Sequence, residues 1–210
     1  MPLEILYEDK SLVVCVKPVG VLSEEPEMPA LLREQLGGEA YCVHRLDRAV
    51  GGVMVYARKK QSAGKLSQAI ADGKLTKEYL AVCEGIPAPA AGEMHDLLFK
   101  DSGKNKAFVV KRMRKGVKKA SLSYETLAAV ETDRGPLSLV RVLLHTGRFH
   151  QIRVQFASRK MPLVGDGKYG SRDSNRDIAL WSHRLVFPHP VTGEDVEISA
   201  QPKGEPWEIF

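Results

Sequence analysis

Short apolar runs broken by turn residues recur from one end of the chain to the other, and this pattern limits the fold more than any other feature. Leu3–Tyr7 and Leu12–Val16 read as strands joined by a turn at Glu8-Asp9-Lys10. Val53–Ala57 and Leu75–Cys83 read as further strands. Met94–Phe99 with Ala107–Lys111 reads as a hairpin, Ala120–Glu131 with Leu137–Leu144 as an antiparallel pair, and Ala179–Phe187 and Glu194–Ala200 as closing strands. Helical spacing is confined to Pro29–Leu36, stopped by Gly37-Gly38, to Ser62–Asp72, with Leu66, Ala69 and Ile70 on one face, and to Phe149–Ser158. Strands and helices do not alternate as βαβ units. The pattern predicts an α+β fold around a central mixed, mostly antiparallel sheet with flanking helices and loops.

The chain has 210 residues, enough to bury a sizeable core, and is read as a single domain spanning 1–210. A hydrophobic fraction of 43% against 27% charged residues fits a soluble globular protein. No signal peptide or membrane-length apolar stretch is visible, so a cytoplasmic location is expected. Cys15, Cys42 and Cys83 are odd in number and widely spaced, and read as reduced core thiols. Neither they nor the six histidines show metal-ligand spacing, so no metal is expected.

The net charge of +5 is weak evidence for an anionic partner; its distribution says more. Lys100, Lys104, Lys106, Lys111, Arg112, Arg114, Lys115, Lys118 and Lys119 crowd one predicted hairpin, against Asp101 as the single acid. Such a patch can neutralise several phosphates, and a solvated hairpin explains it equally well.

Three segments could carry chemistry, and each has a plainer reading. Asp47 follows His44-Arg45-Leu46 and precedes Gly51-Gly52 and a buried strand. A carboxylate there is either a turn cap or a functional acid. In Thr146–Val154, Arg148, Gln151 and Arg153 stand among Ile152, Val154 and Phe156, which favour burial. An arginine drawn inward needs an anion as partner; a surface helix with incidental arginines is the alternative. Lys77 and Tyr79 share one side of a strand, as ordinary sheet packing or as a platform for a base.

Taken in order, His44-Arg45-Leu46-Asp47, Lys77-Glu78-Tyr79 and Gly147–Arg153 resemble the RluA-like family of RNA pseudouridine synthases. The resemblance extends to Glu8-Asp9, Val16–Gly20, Pro162–Gly170 and the stretch Leu180–Pro190, and so spans nearly the whole chain. It implies the pseudouridine synthase catalytic fold and isomerisation of specific uridines in rRNA or tRNA, with no cofactor. Asp47 matches the family nucleophile, Arg153 the arginine that would pair with it, and Tyr79 the aromatic residue that stacks on the everted base. Ile152 matches an apolar wall of the pocket, and Arg45 the position from which a side chain enters the RNA stack. Lys77, Arg148, Gln151 and the basic hairpin are then candidate RNA contacts. His44 and His150 are read as scaffold near the site.

Relatives usually carry Thr-Ser-Gly where this chain has Val50-Gly51-Gly52, which predicts a more flexible turn after Asp47. Phe149 replaces a small hydroxyl residue, and Gln155 a histidine. These departures leave a second reading open, a weakly active or inactive RNA-binding or assembly factor with the same fold. The small N-terminal RNA-binding domain of some relatives is not expected, no membrane partner is implied, and a monomer is the simpler state.

Overall fold

The computed structural model describes residues 2–210. Its strands are β1 (Ile5–Glu8), β2 (Leu12–Lys17), β3 (Tyr41–Cys42), β4 (Gly51–Ala57), β5 (Thr76–Glu84), β6 (Ala91–Asp101), β7 (Lys106–Val110), β8 (Val117–Val130), β9 (Leu137–Leu144), β10 (Leu180–Pro188) and β11 (Asp195–Ser199). The helices are α1 (Met28–Leu36), α2 (Lys60–Ala71) and α3 (Gln151–Ser158). The class is α+β, and the chain divides into two compact units, Met1–Glu78 with Trp181–Pro202 and Tyr79–Leu180 with Lys203–Phe210.

In the first unit the sheet order is β1-β2-β4-β10, with β3 also on β4 and β11 on β10. β2 runs antiparallel to β4 from Leu12↔Ala57 to Lys17↔Gly52. β10 meets the start of β4 in parallel, at Trp181↔Gly51 and Ser182↔Gly52, which makes this sheet mixed. Every residue of β4 is buried, as an uninterrupted apolar run predicts. Leu12, Val14, Val53, Val55, Leu185 and Phe187 form the core with Leu66 of α2. Asp9 fixes the first turn, its carboxylate accepting the N–H groups of Ser11 and Leu12 at 2.7 and 2.8 Å.

In the second unit β9, β8, β6 and β7 lie side by side, each pair antiparallel. β6 and β7 form the predicted basic hairpin, in register from Leu97↔Val110 to Asp101↔Lys106. The end of β5 is built into this unit by backbone bonds from Val164 N–H to Val82 O and from Val82 N–H to Ala179 O. α3 starts two residues later than its sequence pattern suggests, because His150 takes a left-handed conformation (φ 51°) that a continuing helix cannot contain. Leu98, Ala107 and Ala120 of the sheet pack against Val154 of α3. Cys15 and Cys83 are buried thiols as expected. Cys42 is only half-buried, and its thiol donates to the His44 carbonyl at 2.9 Å.

The sequence predicts loose backbone at Val50-Gly51-Gly52, and the structure corrects this. Val50 is 2% exposed and Gly51 opens β4. A Cβ on Gly51 would stand 2.7 Å from the Trp181 ring and 3.1 Å from a Val19 methyl carbon. Trp181 is held in place by its Nε1–H, which donates to the Ala200 carbonyl at 2.8 Å. A Cβ on Gly52, at φ 122°, would stand 2.3 Å from the Ser182 carbonyl oxygen. The indole occupies the space that a larger residue would need. Gly51→Ser, which restores the residue usual in relatives, should therefore lower stability by about 1–3 kcal/mol. Urea unfolding of the two proteins measures this; a variant as stable as the parent would mean that the indole does not constrain position 51.

Candidate active site

In the first unit Asp47 is half-buried on the segment between β3 and β4, and that segment is clamped at several points. Ser23, 3% exposed, donates its hydroxyl to the Leu46 carbonyl at 3.0 Å and accepts the Leu46 N–H at 3.2 Å. Tyr56 holds Ser23 in turn, its phenol donating to the Ser23 carbonyl at 2.9 Å. Beyond Asp47, the Val50 N–H donates to the Asp47 carbonyl at 2.9 Å, which closes a turn. Arg48 donates from Nε to the Gly20 carbonyl at 2.7 Å and forms an ion pair with Glu27 at 2.8 Å.

A buried ammonium completes this segment. Lys17, 0% exposed at the end of β2, donates through Nζ to the carbonyls of Pro18 at 2.8 Å, Val21 at 2.7 Å and Arg48 at 3.4 Å. Burial pushes its pKa down to about 8, while the Asp47 and Glu27 carboxylates act in the opposite direction. Lys17 thus places a positive charge within electrostatic reach of Asp47. Sequence reading gave Lys17 no role beyond its place in a motif. Its signal was a lysine ending an apolar strand directly before proline, a site where the ammonium has carbonyls at hand.

Of the other candidates in this unit, Arg45 is exposed and forms a surface ion pair with Glu24 at 3.3 Å. Lys77 is half-buried on β5, and burial lowers its pKa. His44 is buried, and its Nε2 accepts the Val55 N–H at 3.2 Å, so the ring is neutral. Burial, and secondarily the Lys77 charge, hold its pKa well below the ordinary histidine range.

The second unit holds the remaining candidates. Tyr79 on β5 is 5% exposed. α3 is buried without a break from Gln151 to Phe156, which explains why its sequence shows no clean amphipathic period. Ile152 is 3% exposed. The Arg153 guanidinium forms a bidentate ion pair with Asp166, from Nε at 2.6 Å and from Nη2 at 2.9 Å. The two side chains are only 6% and 1% exposed. Sequence reading required an anion for a buried arginine and named Asp47; within its own unit the arginine is met by Asp166. Gly165 makes this turn possible, since at φ 84° a Cβ there would stand 2.1 Å from the Asp177 carbonyl oxygen.

Gln151 and Arg148 secure the entry to α3. The Gln151 amide oxygen accepts the Thr146 hydroxyl at 2.7 Å and the Arg148 N–H at 3.0 Å, and its Nε2 donates to the Ser121 carbonyl at 3.0 Å. Arg148 is exposed and donates from Nε to the Lys119 carbonyl at 2.9 Å. Gln155 donates to the Asp96 carboxylate at 2.7 Å. Among the described residues, no cluster of three or more His, Cys, Asp or Glu is placed to hold a metal. No described helix is long and apolar enough to cross a membrane.

Comparisons with known proteins identify the family. A family profile described as RNA pseudouridylate synthase matches residues 11–158. The tRNA pseudouridine synthase C of Pasteurella multocida is 31% identical over 231 residues, covering 95% of this chain and 91% of that protein. The protein of the same name in Haemophilus influenzae is 32% identical over 229 residues, covering 94% and 92%. The solved structure of human RNA pseudouridylate synthase domain containing 1 has a TM-score of 0.83 at 24% identity, covering 95% of this chain and 83% of that one. That last likeness concerns the fold.

The neutral, buried His44 generates a pH prediction. Its folded pKa lies below its unfolded value near 6.5, so below that pH the unfolded chain takes up a proton that the native one refuses. The contribution is intact above pH 6.5 and is lost as pH falls, with a limiting slope of about 1.4 kcal/mol per pH unit. His44→Gln keeps an acceptor for Val55 and cannot titrate. Denaturant unfolding from pH 7 to pH 5 should give a shallower decline in the variant; equal declines would show that His44 does not set the acid limit.

Proposed function

The chain belongs to the RNA pseudouridylate synthase family and is an isomerase acting on RNA, and from that premise we propose that it converts uridine to pseudouridine in tRNA with Asp47 as nucleophile. The observation that carries this reading is the Asp47 segment, clamped on both sides of the carboxylate and set near the buried Lys17 ammonium. A nucleophilic carboxylate must be ionised and held still in a largely dry site, where burial alone would favour the neutral acid. A nearby fixed cation offsets that tendency. The choice of tRNA follows the names of the relatives, which match this chain over nearly its full length.

In the proposed reaction the uridine leaves its stack, at a cost of roughly a few kcal/mol, and Arg45 enters the vacancy. The Asp47 carboxylate then adds either to the pyrimidine ring or to the ribose C1′. In the second route the C1′–N1 bond breaks, its electron pair goes to the uracil, and a C1′–O bond to Asp47 forms. The uracil turns and bonds C1′ through C5 as the C1′–O bond to Asp47 breaks and its electron pair returns to the carboxylate; N1 then takes up a proton and C5 loses one, with Tyr79 stacked on the base and assisting. Arg153 stabilises negative charge at the site, and Ile152 forms an apolar wall. Lys77, Arg148, Gln151 and the basic hairpin position phosphates. No step consumes a cofactor. We read both units as one catalytic domain, working as a monomer in the cytoplasm.

Tritium release from tRNA labelled at uridine C5 tests the proposal. Release should be time-dependent and should fall at least about a thousand-fold in Asp47→Asn, whose amide cannot serve as the nucleophile. Undiminished release by Asp47→Asn would remove Asp47 from the chemistry. Release from ribosomal RNA but not from tRNA of a strain lacking the protein would correct the substrate.

A further inference from the structure

In the second unit the basic hairpin and α3 meet on one phenol. Tyr169 closes a short 3-10 turn, Gly167–Tyr169. Its hydroxyl accepts the Ala107 N–H of β7 at 2.8 Å and lies 3.0 Å from His150 Nδ1. A phenol has one hydrogen to give, and Ala107 can only donate. The phenol oxygen has two lone pairs and one hydrogen, so it accepts the Ala107 N–H and still bonds His150 Nδ1 in either tautomer of the ring. His150 is the residue whose left-handed backbone begins α3. The same oxygen thus holds a hairpin strand and the cap residue of the helix that carries Arg153.

The ring reinforces the link. The Arg153 guanidinium lies 5.2 Å from its centroid and the Lys106 ammonium 5.0 Å. Lys106 donates to the Lys168 carbonyl at 2.5 Å, and Lys168 returns a bond to the Asn105 carbonyl at 3.0 Å. On the other side, Lys100 sits 4.4 Å above the Phe149 ring, which stacks on His150 at 3.8 Å. Asp166, the partner of Arg153, belongs to the same turn, its carbonyl accepting the Tyr169 N–H at 3.0 Å. A displacement of Tyr169 would carry Asp166 and Arg153 with it.

We propose that Tyr169 is a positioning residue that makes the basic hairpin and Arg153 one mechanical unit, so that RNA drawn onto the hairpin fixes the arginine for reaction. This rests on the reading of Arg153 as a participant in the isomerisation. It assigns the hairpin a part in turnover besides holding phosphates. Tyr169→Phe isolates the effect, since it keeps the ring beneath both cations and deletes the oxygen that ties β7 to His150.

Hydrogen exchange and steady-state kinetics on tRNA, normalised to the folded fraction, test the proposal. In Tyr169→Phe, exchange should accelerate both in β7 and in the first turn of α3. kcat should fall about ten-fold with KM changed less than about two-fold, as expected when a reacting group is misplaced with substrate binding intact. His150→Asn is the conservative control, because asparagine tolerates the left-handed backbone and its amide can either donate to or accept from the phenol. It should keep most of kcat, whereas His150→Ala should repeat the loss. An unchanged kcat in Tyr169→Phe, a change confined to KM, or faster exchange that stops at β7 would overturn the proposal. Absence of tritium release by the parent protein would instead overturn the isomerase reading of the site, with exchange in α3 still deciding whether Tyr169 couples the helix to the hairpin.

Discussion

A guanidinium buried beside a helix must find a carboxylate, and the Arg153–Asp166 pair sets the shape of the second unit around it. With the two side chains 6% and 1% exposed, neither charge can be left alone. Removing one partner of such a pair costs about 3–5 kcal/mol, because the survivor stays buried. The bidentate geometry also fixes the plane of the guanidinium, which a lysine could not do. Several local features follow from this demand. α3 is buried along six successive residues, Gly165 brings the turn close to Asp177, and Asp166 anchors the turn that ends in Tyr169.

The first unit meets a similar demand differently. Lys17 is satisfied mainly by carbonyls, and that choice folds the backbone around it. Pro18, Val21 and Arg48 belong to two separate loops, so one ammonium draws the segment after β2 toward the segment that carries Asp47. Ser23 and Tyr56 continue the same connection through neutral hydrogen bonds. The rigidity of the Asp47 segment comes from neighbours whose polar groups would otherwise be buried without partners.

This division explains what could be read from the sequence. Strands such as β4 and the hairpin pairs were legible because apolar runs and turn residues act locally. Asp47, Tyr79 and Arg153 were legible as motif residues, and the requirement for an anion near Arg153 followed from its apolar neighbours. Asp166 was not legible as its partner, because a pairing thirteen residues apart in sequence leaves no periodic trace. Nor was Tyr169, whose bonds reach 62 residues back to Ala107 and 19 back to His150. The start of α3 was misjudged for a local reason, the left-handed backbone at His150, which sequence seldom betrays in a residue other than glycine or asparagine.

The motif departures show why a substitution at a familiar position has to be judged with its surroundings. Gly51 lacks the side chain usual in relatives, and the Trp181 ring fills the space that it leaves. Phe149 adds bulk, and that bulk is stacked on His150 beneath the Lys100 ammonium. Gln155 replaces a histidine and engages the Asp96 carboxylate. At each position the changed side chain, or the space it leaves, meets a group distant in sequence: Trp181 at Gly51, Lys100 at Phe149 and Asp96 at Gln155. At position 51 the backbone lies against the Trp181 ring and Val50 is buried, so neither residue leaves an open space beside the Asp47 segment.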